Sequence, residues 1–434
     1  MTEMLFGLLA MIVLMIGGMP VGFAMILVGF IGTAWIYGWN WTAAIALMGI
    51  EPYANSSSYL FIAIPLFILM GHFAIASGIS REMFEAARAW FGHWRGGLAV
   101  ATVGASAGFS AACGSSLATA AAMGTLSIPE MRKHGVHVRV ATAVVAAGGT
   151  LGILIPPSIG MVLYGLVADQ SIGRLLVAGI LPGVMLAILF MITVVILAYL
   201  RPADLPRMEK YPLSRRIRET KGVTGILILF LIVMGGIYGG IFTPTEAAGI
   251  GAGGAYIIVL LRARRLDWAI VSNALRATGE ATCMIFMIII GSHVLNVFLA
   301  ATRGPVELSQ FVESLNLSPT MFMIIVLIMY LILGSFLDAL AMIVLTIPIL
   351  LPVLSNMGYD LIWFGVIVVL VMEMALITPP VGLCVYVIKG VAKDVPIHVI
   401  FSGVWPFLMA QIVMVAVLLA YPHLALILPN LMYE

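Results

Sequence analysis

The 434-residue chain predicts an all-α polytopic membrane protein made of two inverted repeats, and three observations lead there. Hydrophobic residues make up 62% of it and charged residues 9%, against about 25% charged in an ordinary soluble domain. Apolar runs long enough for membrane helices follow one another from end to end. Proline landmarks in the first half return in the second at an almost constant offset of 223 residues.

A chain so poor in polar residues cannot cover itself in water, so lipid is its expected solvent. The 28 Met and 45 Gly fit this reading, because small residues let helices approach closely in lipid. Cys113, Cys283 and Cys384 each sit in an apolar run without a CxxC pair, and the seven His form no HExxH. Neither a disulfide framework nor a metal cluster is expected. The net charge of +2 gives no basis for binding nucleic acid. An intramembrane enzyme would need a nucleophile–base or metal constellation at one depth, and none is found, so the protein is expected not to be an enzyme. Met1–Gly18 lacks the basic start of a signal peptide and reads as a retained first span.

Apolar segments lie near 4–19, 21–38, 59–79, 97–128, 139–168, 175–200, 222–242, 245–261, 281–302, 319–354, 360–388 and 400–428. The segments 97–128 and 319–354 are too long for one span. Gly114-Ser115-Ser116 interrupts the first midway, and Gly334-Ser335 with Asp338 interrupts the second. Both read as re-entrant hairpins that enter and leave on one side. With that assignment, and Met1 outside, 19 of the 21 Lys and Arg fall in cytoplasmic loops, leaving only Arg174 and Arg303 outside. A single crossing at either hairpin would scramble this bias downstream.

Residues 1–200 then form one repeat, 201–221 a cytoplasmic linker and 222–434 the other. Pro129 and Pro352 lie 223 residues apart, as do the centres of Ile155-Pro156-Pro157-Ser158 and Thr378-Pro379-Pro380-Val381. Pro20 and Pro244 are separated by 224, and Trp41–Ile50 resembles Trp268–Ala277. Each unit carries five crossings and a hairpin; the odd number turns the second upside down, a design that suggests alternating access.

Unwound backbone survives in hydrocarbon only inside protein or beside a polar cavity. The hairpin tips therefore expose amides and hydroxyls at mid-membrane, where helix N-termini favour anions. Ser115, Ser116, Thr119, Gly334, Ser335 and Asp338 are the candidate substrate-binding residues. The double prolines free carbonyls for a hard monovalent cation such as Na⁺. One candidate pocket joins Ser115 or Ser116 to carbonyls near Gly152, Ile155 and Pro157, and the other joins Gly334 and Asp338 to Ala375, Thr378 and Pro380. Asp338 would repel an anion, which assigns it to the cation or to a substrate hydroxyl or amine. Glu246 reads as a helix cap, and Glu373 as a contact of the proline break or of a neighbouring helix, without a direct role. His72 and His293 read as structural hydrogen-bonding groups. The amphipathic stretches Arg81–Arg95 and Gly304–Leu317 read equally as clamps on a moving domain and as interfacial anchors.

Four runs carry a family resemblance: 109–120 (FSAACGSSLATA), 149–158 (GTLGILIPPS), 242–248 (FTPTEAA) and 64–71 (IPLFILMG). With them nearly the whole chain resembles the large membrane subunit of tripartite ATP-independent periplasmic (TRAP) transporters. The resemblance implies an inner-membrane importer driven by a Na⁺ gradient, without ATP hydrolysis, in which a hairpin domain moves like an elevator against a scaffold. It also implies a small four-helix membrane subunit, here expected as a separate polypeptide, and a periplasmic binding protein that delivers an organic anion. C4-dicarboxylates, sialic acids, keto acids and sulfonates all remain open as substrates. A stand-alone carboxylate symporter or antiporter of the related inverted-repeat class is the alternative.

The predicted topology has a direct check. Cysteines placed near the two chain ends should react with impermeant thiol reagents from outside, and ones in 201–221 only from inside; a terminus labelled solely from the cytoplasm would overturn it.

Overall fold

A computed structural model describes residues 2–263, 268–315 and 317–432, and every regular element among them is helical. The first half opens with α1 (Thr2–Ile16), α2 (Val21–Ile36), α3 (Trp41–Ser56), α4 (Ala63–Ala76) and α5 (Ile79–Phe91). A hairpin follows, α6 (Gly97–Cys113) and α7 (Ser116–Lys133), then α8 (Val138–Gly149), an irregular stretch 150–158, α9 (Ile159–Val167) and α10 (Ile172–Leu200). The second half has a similar order, with four helices instead of five before its hairpin. It contains α11 (Leu213–Tyr238), α12 (Pro244–Ala263), α13 (Trp268–Ala301), α14 (Gly304–Ser314), the hairpin α15 (Pro319–Gly334) and α16 (Ala339–Asn356), and α17 (Leu361–Ala375). An irregular stretch 376–382 leads to α18 (Leu383–Val391), α19 (Ile397–Ala420) and α20 (His423–Leu431). Cis peptide bonds at Pro156–Pro157 and Pro379–Pro380 mark the two irregular stretches.

Seven described helical segments are long and apolar enough to cross a membrane, and six shorter apolar helices accompany them. Their outward faces carry apolar rather than charged residues: Ile188, Ile192 and Ile196 are exposed along α10, and Ile324, Ile325, Ile328 and Ile332 along α15. The four-residue spacing makes each set a continuous stripe. This is a multi-pass membrane protein.

Helices pack by exchanging partners between the halves. α2 lies on α13 and α4 on α12; α9 packs on α16 and α7 on α18; α8 meets α19 and α10 meets α17. The α2–α13 contact is backbone to backbone. A Cβ on Gly22 would stand 2.7 Å from the Met287 carbonyl oxygen, and one on Gly29 2.7 Å from that of Val294. In lipid, where apolar burial drives little, such close approach is the main source of helix association.

The helix bounds depart from the sequence reading at four places. Pro129 and Pro352 lie within α7 and α16, so the hairpins run on to 133 and 356. Trp268–Ala277 joins the following span in the single helix α13, because that copy lacks the polar run Asn55-Ser56-Ser57-Ser58 that breaks the first. α11 begins at Leu213, inside the stretch assigned to the linker; an i,i+4 pair between Arg215 and Glu219 helps carry the helix through the charged segment. Pro422 ends the last span early and separates α20 from α19.

The amphipathic α5 sits against α6 and α11, and polar contacts fasten both of its sides. Arg88 pairs with Glu130 of α7 at 2.6 Å, and Trp90 donates to Thr220 of α11 at 2.9 Å. Arg262 of α12 reaches the Ser77 carbonyl, Glu82 and the Gly222 carbonyl.

Gly29→Val forces side-chain atoms into the α13 backbone and should lower thermal stability in detergent by about 1–3 kcal/mol, the usual cost of overpacking. Gly253→Ala on α12, where a Cβ meets nothing within 4 Å, should leave it unchanged or slightly raised. Thermal unfolding of the purified variants decides; equal melting points would refute the backbone contact.

Candidate functional site

Both hairpin tips form for local reasons. Gly114 takes a left-handed backbone, φ 65°, that ends α6, and Ser115 then caps α7, its Oγ accepting from the Ala118 N–H at 3.5 Å. In the second half Asp338 caps α16, its Oδ2 accepting from the Leu340 N–H at 3.1 Å. Ser115 and Asp338 are 223 residues apart and do the same work in the two halves.

The tips converge on one cavity of about 330 Å³. Gly114, Ser115 and Ser116 line it from the first hairpin, Asp338 and Leu340 from the second, and His72 of α4 closes another wall. Two helix N-termini thus share one cavity, which concentrates free amides and positive dipole ends there.

The irregular stretch 150–158 backs the first tip closely. A Cβ on Gly152 would lie 2.6 Å from the Ser115 carbonyl carbon and oxygen, and one on Gly114 2.7 Å from the Pro157 oxygen. Ser116 joins the layers: its Oγ accepts from the Ile153 N–H at 3.1 Å and donates to Glu373 Oε2 at 2.7 Å. Among the described residues the carbonyls of Gly152, Ile155 and Pro157 receive no hydrogen bond. All three residues are buried, and buried carbonyls normally find a donor. A hard cation satisfies such oxygens equally well.

The structure gathers Ser115, Ser116 and Asp338 at the cavity and places Gly152, Ile155 and Pro157 behind it. Thr119 is fully buried one turn further along α7 and does not line the cavity. Gly334 presses on Ala375, where an added Cβ would come within 2.6 Å of the alanine Cβ. The Ser335 hydroxyl turns back to the Leu331 carbonyl at 3.0 Å, and that of Thr378 to the Met374 carbonyl at 2.7 Å. The Ala375 carbonyl accepts from the Thr378 N–H, and Pro380 is exposed. The second group is therefore looser and less enclosed than the first.

Glu373 is the residue that sequence reasoning undervalued. It is fully buried and bonds the tip of the opposite half across 257 residues of sequence. The signal was a single acid in an apolar helix; its partner was invisible without the fold. Glu246 closes a reciprocal cap, taking the Thr243 N–H at 2.8 Å while Thr243 Oγ1 accepts from its own N–H.

The family model described as "Tripartite ATP-independent periplasmic transporter, DctM component" matches residues 8–424. The chain belongs to this family. It is 36% identical over 387 residues to the C4-dicarboxylate TRAP transporter large permease protein DctM of Pseudomonas aeruginosa, covering 89% of this chain and 90% of that one. It is 32% identical to the sialic acid permease SiaM of Vibrio cholerae over 96% of each chain. The 2,3-diketo-L-gulonate permease YiaN of Escherichia coli matches at 30% identity over 95% of each. Among solved structures, the YdaH transporter of Alcanivorax borkumensis superposes with a TM-score of 0.65 at 14% identity, over 87% of this chain and 88% of that one, a likeness of fold alone.

Gly152→Val should push the first tip off its backing and reduce uptake in proteoliposomes by about tenfold or more, through displacement of tip groups by an ångström or so. Yield and monodispersity should stay near parental. Parental uptake would show that the tip does not depend on this contact.

Proposed function

We propose that this chain is the large permease subunit of an inner-membrane importer that moves an organic anion together with Na⁺. The observation that carries the reading is the shared cavity, where two helix N-termini meet beside carbonyls of buried residues that receive no hydrogen bond among the described residues. The amides suit the oxygens of a carboxylate or sulfonate, and the carbonyls suit a hard monovalent cation. Among the described residues no Lys or Arg lines the cavity, so the anion's charge is met by amides, hydroxyls and co-bound Na⁺.

The anion is taken to rest against Ser115 and the first turns of α7 and α16. One Na⁺ lies among Ser115 or Ser116 and the carbonyls of Gly152, Ile155 and Pro157. A second lies near Gly334, Asp338, Ala375, Thr378 and Pro380. Asp338 faces this cation or a substrate hydroxyl or amine. C4-dicarboxylates, sialic acid and 2,3-diketo-L-gulonate, the substrates in the relatives' names, all bear carboxylates.

Exchange of partners between the halves supports two inverted repeats related by an axis in the membrane plane, and with them alternating access. In this reading the hairpins and broken helices α6–α9 and α15–α18 travel together as an elevator. α2, α4, α12 and α13 form the scaffold, braced by a small four-helix subunit, and a periplasmic binding protein presents the anion.

The test is uptake of a labelled C4-dicarboxylate, sialic acid or keto acid into proteoliposomes holding both membrane subunits, with the binding protein outside. Replacing external NaCl by choline chloride should lower the initial rate by about tenfold or more, since removing a required ligand forfeits its binding energy. An unchanged rate would refute Na⁺ coupling.

A further inference from the structure

The two tips have different backings. The stretch 150–158 lies behind the first, whereas the far side of the second faces an apolar cleft of about 800 Å³. One wall of the cleft is α1, with Met4, Met11 and Met15, and the other is the second hairpin, with Met329, Phe336 and Leu345. α1 packs on α2, and among the described residues neither α15 nor α16 is a close neighbour of it. The rim of the cleft, at Leu5, Ile12, Ile16 and Phe336, is exposed; its floor, at Met4, Met11, Leu345 and Leu350, is buried.

Three properties decide what fills this space. Among the described residues only Asp338 and Thr346 bring polar side chains to it. Asp338 caps α16, and Thr346 is bonded to Tyr330 and to the Met342 carbonyl. A buried water needs about two to four polar partners, so water is not the occupant. The cleft also opens on the lipid-facing surface: the exposed stripe of α15 continues from Ile328 and Ile332 to Phe336 on the rim, at four-residue intervals. Finally, it is too small for a protein helix crossing the membrane, which at 10 Å across and 30 Å long displaces about 2,400 Å³. A hydrocarbon chain is thin and flexible enough, and methionine-rich walls adapt to its shape. Left empty, the lining would forfeit its dispersion contacts on that side.

We propose that the cleft is a binding site for an acyl chain of a membrane phospholipid, which supplies the backing that the second tip lacks. Asp338 borders both the cleft and the cavity, so the chain and the solute share the second tip as a wall. Lipid binding here is independent of which anion and cation the cavity takes.

The test uses proteoliposomes that hold both membrane subunits and a phosphatidylcholine with an aryl diazirine on one acyl chain. After irradiation, adducts are located by peptide mass spectrometry. In the parent they should form on the floor residues Met11 and Leu350, and also on Ile188, Ile192 and Ile196 of α10, which report ordinary contact with lipid. Leu8→Trp places an indole in the cleft and should cut the floor adducts by about tenfold, because close-packed atoms do not share space. Adducts on α10 should not change. Met15→Phe replaces the tryptophan variant if the latter lowers yield. A parent without floor adducts, or floor adducts undiminished by the bulky side chain, overturns the site. Floor adducts that form in the large subunit alone and vanish when the small subunit is present assign the cleft to a partner helix, and overturn it as well.

Discussion

Hydrocarbon supplies no hydrogen bonds, so two interrupted helices in one membrane protein must satisfy each other's backbone. The stretch 150–158 and the tip at 114–116 do this for the first half. Ser116 supplies an acceptor to the Ile153 N–H, and the absent side chains of Gly114 and Gly152 let the two backbones touch. Oxygen atoms left over after that exchange, on Gly152, Ile155 and Pro157, receive no hydrogen bond among the described residues. The surrounding helices enclose this assembly: α8 packs on α19 and α7 on α18, and most of α6 is buried. Chemistry at the cavity is thus what remains when a structural requirement has been met almost completely.

The second half meets the same requirement with less cover. Its tip replaces a capping serine by Asp338, and its serine, Ser335, spends its hydroxyl on its own helix. α15 shows an apolar stripe to lipid, whereas its counterpart α6 lies under α5 and α11. Between α1 and the α15–α16 pair runs an apolar cleft of about 800 Å³, rich in Met4, Met11, Met15 and Met329, and Asp338 borders it as well as the cavity. The second tip is therefore a thin partition with space on both sides, and the first is a wall backed by packed helices. A tip with fewer buried neighbours opens at lower free energy.

Much of this was legible in the sequence because its cause is local. A double proline must break a helix, and Gly-Ser-Ser in an overlong apolar run must turn it. The pairing of Ser115 with Asp338 followed from the 223-residue offset alone. Where helices end was less legible, since α11 starts early with an i,i+4 ion pair and α13 fuses two segments that the first half keeps apart. Least legible was how hydroxyl protons are shared. Ser116 read as a candidate for both the anion and the cation, and nothing in residues 361–377 points to its bond with the Glu373 carboxyl.

The same offset makes Thr150 the counterpart of Glu373. Thr150 is fully buried and accepts from Gln411 Nε2 of α19 at 3.2 Å, so it too is tied to the opposite half. Equivalent places in the fold therefore carry one neutral tie and one acidic tie. A buried carboxyl is much the more expensive group to desolvate, and an amide paired with a hydroxyl shows that a structural tie between the halves needs no charge. The costlier tie sits behind the better-enclosed tip, where Ser116 bridges Glu373 to the Ile153 N–H.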